Sequence, residues 1–186
     1  MKNTFGKDYY RATGRNWKWY KVLRLHKHIG IQYLYLLRKE TTTKGVVAMV
    51  YKKLREHKRR KYALYVNTHT IGGGLVIGHP HNIVINSKVI IGCNVTVQNG
   101  VTIGKDFRGK RCGAPVIGNN VYIGANATIV GNVIVGDDVV IAPNTFVNFD
   151  VPKHSIVIGV PGEIKCRENA TEGFLFNLEE NSETEA

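Results

Sequence analysis

From Tyr65 onward, aliphatic residues return every six positions: Ile71, Ile77, Ile85, Ile91, Val97, Ile103, Ile117, Ile123, Ile129, Val135, Ile141 and Val147. Gly, Asn or Ala usually follows the aliphatic residue, and a small or β-branched residue usually sits at the fifth position. A six-residue period fits a short strand closed by a tight turn, with three units making one triangular coil. One unit cannot bury its own aliphatic side chain, so the coils must stack. Gly and Asn adopt the left-handed turn conformation at little steric cost. The pattern predicts a parallel β-helix over residues 65–167.

The period breaks twice. Between Ile77 and Ile85 the step is eight, and the slip carries His79 and His81 in "VIGHPHNIVI". Between Ile103 and Ile117 it is fourteen, which leaves one unit plus an excursion over Lys105 to Ala114, "KDFRGKRCGA". Solenoids carry insertions on one face, often the binding face. The slip and the loop are therefore the two candidate functional features.

Residues 1–64 read differently. "NWKWYKVLRLHKH" and "IQYLYLLRK" place large apolar groups on helical stripes, with Gly30 marking a break. "TTTKG" predicts a loop and N-cap before "VVAMVYKKLREHKRRK". Three regions follow: a basic α-helical part (1–64), the β-helix (65–167) and an acidic tail (168–186).

Charge sharpens this division. The net charge is +12, yet residues 1–64 hold 18 Lys/Arg against Asp8, Glu40 and Glu56, while the tail from Glu168 has six Glu and no Lys or Arg. No nucleic-acid motif accompanies the basic part, so nucleic acid is not an expected partner. A basic amphipathic segment suits an anionic lipid surface. The start "MKNTFGKDYYR" has no apolar leader region, and no apolar run is long enough to span a bilayer. Cys93, Cys112 and Cys166 read as reduced thiols. The expected location is cytoplasmic, with peripheral contact at the inner membrane face.

The helices, the array, the slip at "GHPHNIVI", the loop ending "GAPVIGNNVYIGANATIVGN" and the closing "VPKHSIVIGVPGEI" together resemble the hexapeptide-repeat acetyltransferases. Within them the chain is most similar to serine O-acetyltransferases and to the related O-acetyltransferases of surface-polysaccharide clusters. The resemblance implies an all-β left-handed parallel β-helix preceded by a small α-helical region. It also implies acetyl-CoA as co-substrate, no metal, and a homotrimer whose active sites lie between neighbouring subunits. His79 falls at the position of the family's catalytic histidine. Gly104, Lys105, Ala125 and Ala142 fall at positions along the acetyl-CoA chain, and Lys153 and Lys165 are candidates for its phosphates.

Acetyl transfer to a hydroxyl needs a base, an oxyanion donor and alignment. Histidine suits the first role because its ordinary pKa of about 6.5 lies near working pH. His81, Asn82, Gln32 and Arg38 are the candidate acceptor contacts, and Asn82 is a candidate partner for an imidazole nitrogen. The family's serine-holding groups are replaced here. Gly78 stands where an Asp precedes the histidine, Ala114 where a second histidine precedes the loop's Pro, Leu64 where a carboxylate orients the base, and Asn16 where a helical Asp contacts serine. Free serine needs partners for its charges. A sugar hydroxyl, on a small-molecule or lipid-linked precursor, is therefore the expected acceptor, with serine as the alternative. Two further readings are a non-catalytic scaffold and a zinc carbonic anhydrase using His69, His79 and His81.

Overall fold

The structure, a computed structural model, describes residues 4–66 and 70–178. His69 of the zinc reading and the last eight residues of the acidic tail lie outside them.

The repeats close into a left-handed parallel β-helix of about five coils with three flat faces. Sheet A stacks β1 (Leu64–Val66), β3 (Ile83–Ile85), β6 (Thr102–Gly104), β9 (Thr128–Val130) and β12 (Phe146–Val147). Sheet B stacks β4 (Ile90–Ile91), β7 (Val116–Ile117) and β10 (Ile134–Val135), extended by bridges from Ile71 and Val151. Sheet C stacks β2 (Val76–Ile77), β5 (Thr96–Val97), β8 (Val121–Ile123), β11 (Val139–Ile141) and β13 (Ser155–Ile158), with β14 (Glu163–Cys166) antiparallel at its end.

The periodic aliphatic residues are the rungs. Ile85 pairs with Ile103 and Ile103 with Ile129; Ile77 pairs with Val97, and Val97 with Ile123. Nearly all are buried in one continuous core. Asn94, Asn120, Asn126, Asp138 and Asn144 turn the corners at φ between +51° and +59°, which is why Asn and Asp recur there. Asn126 donates to Asn144 on the next coil at 3.2 Å.

Three α-helices, α1 (Thr4–Thr13), α2 (Ile29–Thr42) and α3 (Gly45–Tyr62), precede the coils, with a 3₁₀ segment over Trp19–Lys27. The break read above at Gly30 falls at His28, and Gly30 lies in the first turn of α2. A Cβ there would stand 2.7 Å from the Ile77 carbonyl, so the glycine lets α2 sit directly on β2. A clasp fixes the helices to the first coil. Asp8 on α1 is buried and accepts from the Gly74 and Leu75 amides at 2.9 Å and from Arg38 of α2 at 2.9 Å. Burial pushes the Asp8 carboxyl up against the pull of Arg38. A second clasp joins Arg55 of α3 to Glu40 at 2.6 Å and to the Tyr33 hydroxyl at 3.1 Å.

The described part of the tail folds back over sheet C. Asp138 accepts from the Ala170 amide, the Thr171 amide and the Thr171 hydroxyl at 2.9, 3.0 and 2.7 Å, and from His154 Nδ1 at 2.8 Å. Phe174 then packs on Tyr122 with ring centroids 5.0 Å apart.

Candidate functional site

The eight-residue step is a bulge at the edge between sheets C and A. A normal step there, Val97 to Ile103, spends five residues on the corner; the step from Ile77 to Ile85 spends seven. His79 and Asn82 both take left-handed backbone, φ +48° and +53°, and the His81 amide bonds back to the His79 carbonyl at 2.7 Å. The base of the bulge is anchored on α3: the Asn82 amide donates to the Tyr62 carbonyl and the Ile83 amide to the Ala63 carbonyl. The excess chain has nowhere to go but outward, and His79 emerges exposed. His81, beside it, lays its ring edge-on against Tyr62 at 5.4 Å. Among the described residues no side-chain hydrogen bond joins Asn82 to either imidazole, and Leu64, where a carboxylate would orient the base, is sealed in the core.

The same edge carries Ala125 and Ala142. Each follows a sheet C strand, as His79 does, so the histidine bulge and the two alanine corners lie in one row down the prism. Both alanines are only part-exposed, and their small side chains keep the groove shallow. Gly104 and Lys105 stand elsewhere in the chain, at the edge between sheets A and B where the loop leaves β6. The loop is a small hairpin: Asp106 and Gly113 exchange two backbone bonds of 2.9 and 3.0 Å, and Lys105 Nζ lies 5.1 Å from the centre of the Phe107 ring. Lys153 belongs to the third edge, after the Val151 bridge and before β13, and Lys165 to the antiparallel β14. The proposed cofactor positions therefore occupy separate edges of one protomer.

Two acceptor candidates have other surroundings than expected. Arg38 spends its guanidinium on Asp8 and on the Ile71 and Gly72 carbonyls at 2.7 and 2.6 Å, so it ties helix to coil and offers little to a ligand. Gln32 lies on α2 with its Oε1 buried and unpaired among the described residues. Asn16 is exposed, its carbonyl held by Lys21 Nζ at 2.7 Å. Gly78 packs against Gln98: a Cβ on it would meet Gln98 Oε1 at 2.5 Å. No group of three or more potential metal-ligating side chains forms among the described residues, and no described helix is long and apolar enough to cross a membrane.

Sequence reasoning missed Arg11, Asp8 and the Asp138–His154 pair. Asp8 and Arg11 do share one face of a helix by their three-residue spacing, but nothing in the sequence tells which charged face is buried.

Residues 114–148 match the family model described as bacterial transferase hexapeptide (six repeats). Part of the chain thus matches a hexapeptide-repeat transferase family, and the chain resembles the serine O-acetyltransferases. A serine acetyltransferase from Staphylococcus aureus is 41% identical over 109 residues, covering 58% of this chain and 50% of the relative. The soybean serine acetyltransferase apoenzyme superposes with a TM-score of 0.67 at 26% identity, over 86% of this chain and 66% of that one. The Neisseria gonorrhoeae serine acetyltransferase in complex with serine gives 0.65 at 25% identity, over 87% and 66%. The chain spans about half the length of the curated relatives it matches.

Proposed function

We propose that this protein is an acetyl-CoA-dependent O-acetyltransferase that acts by direct transfer, with His79 as general base and a sugar hydroxyl as acceptor. His79 takes the proton from the acceptor hydroxyl as its oxygen attacks the thioester carbonyl. The C–S bond breaks, the imidazolium returns the proton to the departing thiolate, and the products are an O-acetyl ester and free CoA. Ala125 and Ala142, in line with His79, suit the thioester arm because small side chains let it lie against the backbone. Lys105 on the loop, and Lys165, are offered to the phosphates. Lys153, on the third edge, requires a neighbouring subunit to reach the same groove.

A homotrimer supplies that neighbour. On sheet B, Ile90, Val116 and Ile134 are in register and face outward, 44%, 36% and 60% exposed. Such a bare aliphatic ladder is an association face, which three-fold packing would cover. Peripheral contact with an anionic membrane belongs to the same proposal. Val46, Met49, Val50 and Leu54 of α3 are exposed and sit among Lys52, Lys53, Arg60 and Lys61, a charge pattern that favours anionic lipid and opposes pairing with a second copy of itself.

The observation that carries the acceptor class is Gly78. Gly78 puts no carboxylate beside the histidine, and Gln98 lies against it instead; Asn16 and Ala114 offer no charge. Serine remains the second reading, because the named relatives are serine acetyltransferases. Turnover of acetyl-CoA with L-serine and with a panel of hexoses and nucleotide sugars separates the two. We expect at least one sugar to exceed serine in kcat/KM; a serine value of about 10⁴ M⁻¹s⁻¹ or more, above every sugar, overturns the sugar reading.

A further inference from the structure

A cavity of about 280 Å³ lies between sheet C, α1 and the returned tail. Val76 and Gln98 form its wall toward the histidine bulge, Tyr122 continues it down sheet C, and Phe174 and Phe176 roof it. Arg11 enters from α1 and is 4% exposed. Its guanidinium donates to the Phe176 carbonyl and to Thr96 Oγ1, the latter at 3.2 Å. Both acceptors are neutral. Nε is buried with no partner among the described residues. The nearest carboxylate on the helix, Asp8, is already saturated by Arg38 and two backbone amides.

A buried cation without a counter-charge is expensive. Burial accordingly lowers the affinity of Arg11 for its proton. Such an arrangement persists where a ligand completes it, and the planar fork of a guanidinium matches a carboxylate or phosphate. The cavity is also continuous with the proposed active edge. Gln98 touches both the cavity and Gly78, the residue before His79. Val76, in the cavity wall, precedes His79 by three residues.

We infer that Arg11, with Thr96 and Gln98, is an oxyanion subsite that holds a carboxylate or phosphate of the acceptor while a hydroxyl elsewhere on the acceptor reaches His79. The inference rests on the acetyltransferase reading and narrows its acceptor to an acidic or phosphorylated sugar. The Phe176 carbonyl occupies one guanidinium N–H in the unliganded protein, so the tail's aromatic roof shifts when the anion enters.

The binding test uses the full chain saturated with CoA, so that phosphate sites of the co-substrate are filled. Inorganic phosphate at about ten times its Kd should raise the melting temperature by roughly 3 °C at constant ionic strength. Arg11→Met should abolish that rise while leaving the variant at least as stable without phosphate. Arg11→Lys should bind more weakly than wild type. If Arg11→Met does not fold, Gln98→Leu, which keeps the charge, should reduce the response several-fold. No response in the wild type, or an equal response in Arg11→Met, overturns the inference. In turnover assays a hexuronic acid, a hexose phosphate and the neutral hexose identify the anion. Arg11→Met should raise the acceptor KM about 10²-fold for the charged sugar that binds and leave the acetyl-CoA KM unchanged. Equal kcat/KM for charged and neutral sugars also overturns it. Absence of turnover with every acceptor, with the phosphate response intact, would instead count against the acetyltransferase reading.

Discussion

His79 stands on a bulge that two extra residues force out of the prism, with left-handed backbone and no side-chain partner among the described residues. Removing its imidazole should therefore cost the fold little and the chemistry much. His79→Ala is expected to lower turnover by about 10²–10⁴-fold, the usual share of a positioned base, with melting temperature and CoA binding preserved; mass-spectrometric product assays alongside calorimetry check both halves. Asp8 is the opposite case. Asp8→Ala strands the Arg38 guanidinium and two buried amides, so a loss of about 3–5 kcal/mol in unfolding free energy is expected, measured by denaturant titration. The bulge that carries His79 was legible in the sequence because the slip breaks a regular beat. Arg11 was not, since a helix wheel shows that charges share a face but not that the face is covered. Arg38 was misplaced for the same reason: its partners come from α1 and the first coil, 30 or more residues away in either direction.

At the scale of elements, the rung count held more information than the repeat motif alone. Rungs alternate among three sheets, so the sheet that precedes each corner fixes its edge. That rule puts Ala125 and Ala142 below His79, and Lys153 on another edge. The return of the tail over sheet C was not legible, because its latch is made by hydrogen bonds at Asp138 and not by a hydrophobic pattern. Burial alone would raise the Asp138 carboxyl, but the Thr171 hydroxyl and amide, His154 and the Ala170 amide outweigh it and hold the pKa at about 2, below the ordinary 3.8. A depressed carboxylate contributes stability above its unfolded pKa and loses it as the folded value is approached. The latch should therefore be intact above about pH 4 and release between about pH 4 and 2. Hydrogen exchange at Ala170 and Thr171 would report this. Asp138→Ala should expose the same amides at neutral pH, and unchanged protection in that variant would show that other contacts hold the tail.

At the scale of the molecule, the groups proposed for one reaction are distributed over different edges of a single prism, and the aliphatic ladder of sheet B lies bare. Three protomers closing around that ladder would cover it and set the two edges that flank sheet B, with the loop and Lys153, beside neighbouring subunits. Ile134→Glu, the most exposed rung of the ladder, should convert the trimer to monomers by light scattering and abolish turnover without unfolding the coils; a trimer that survives places the interface on another face. The most direct measurement of the central claim is a single-turnover experiment with acetyl-CoA labelled in the acetyl group, an acidic or phosphorylated sugar, and wild-type or His79→Ala protein with CoA occupancy verified. The account predicts that label appears on the sugar with loss of one CoA thioester per site, and about 10²–10⁴-fold more slowly in the variant. Transfer at equal rates in the two proteins, or no transfer to any hydroxyl by a CoA-loaded wild type, would contradict it.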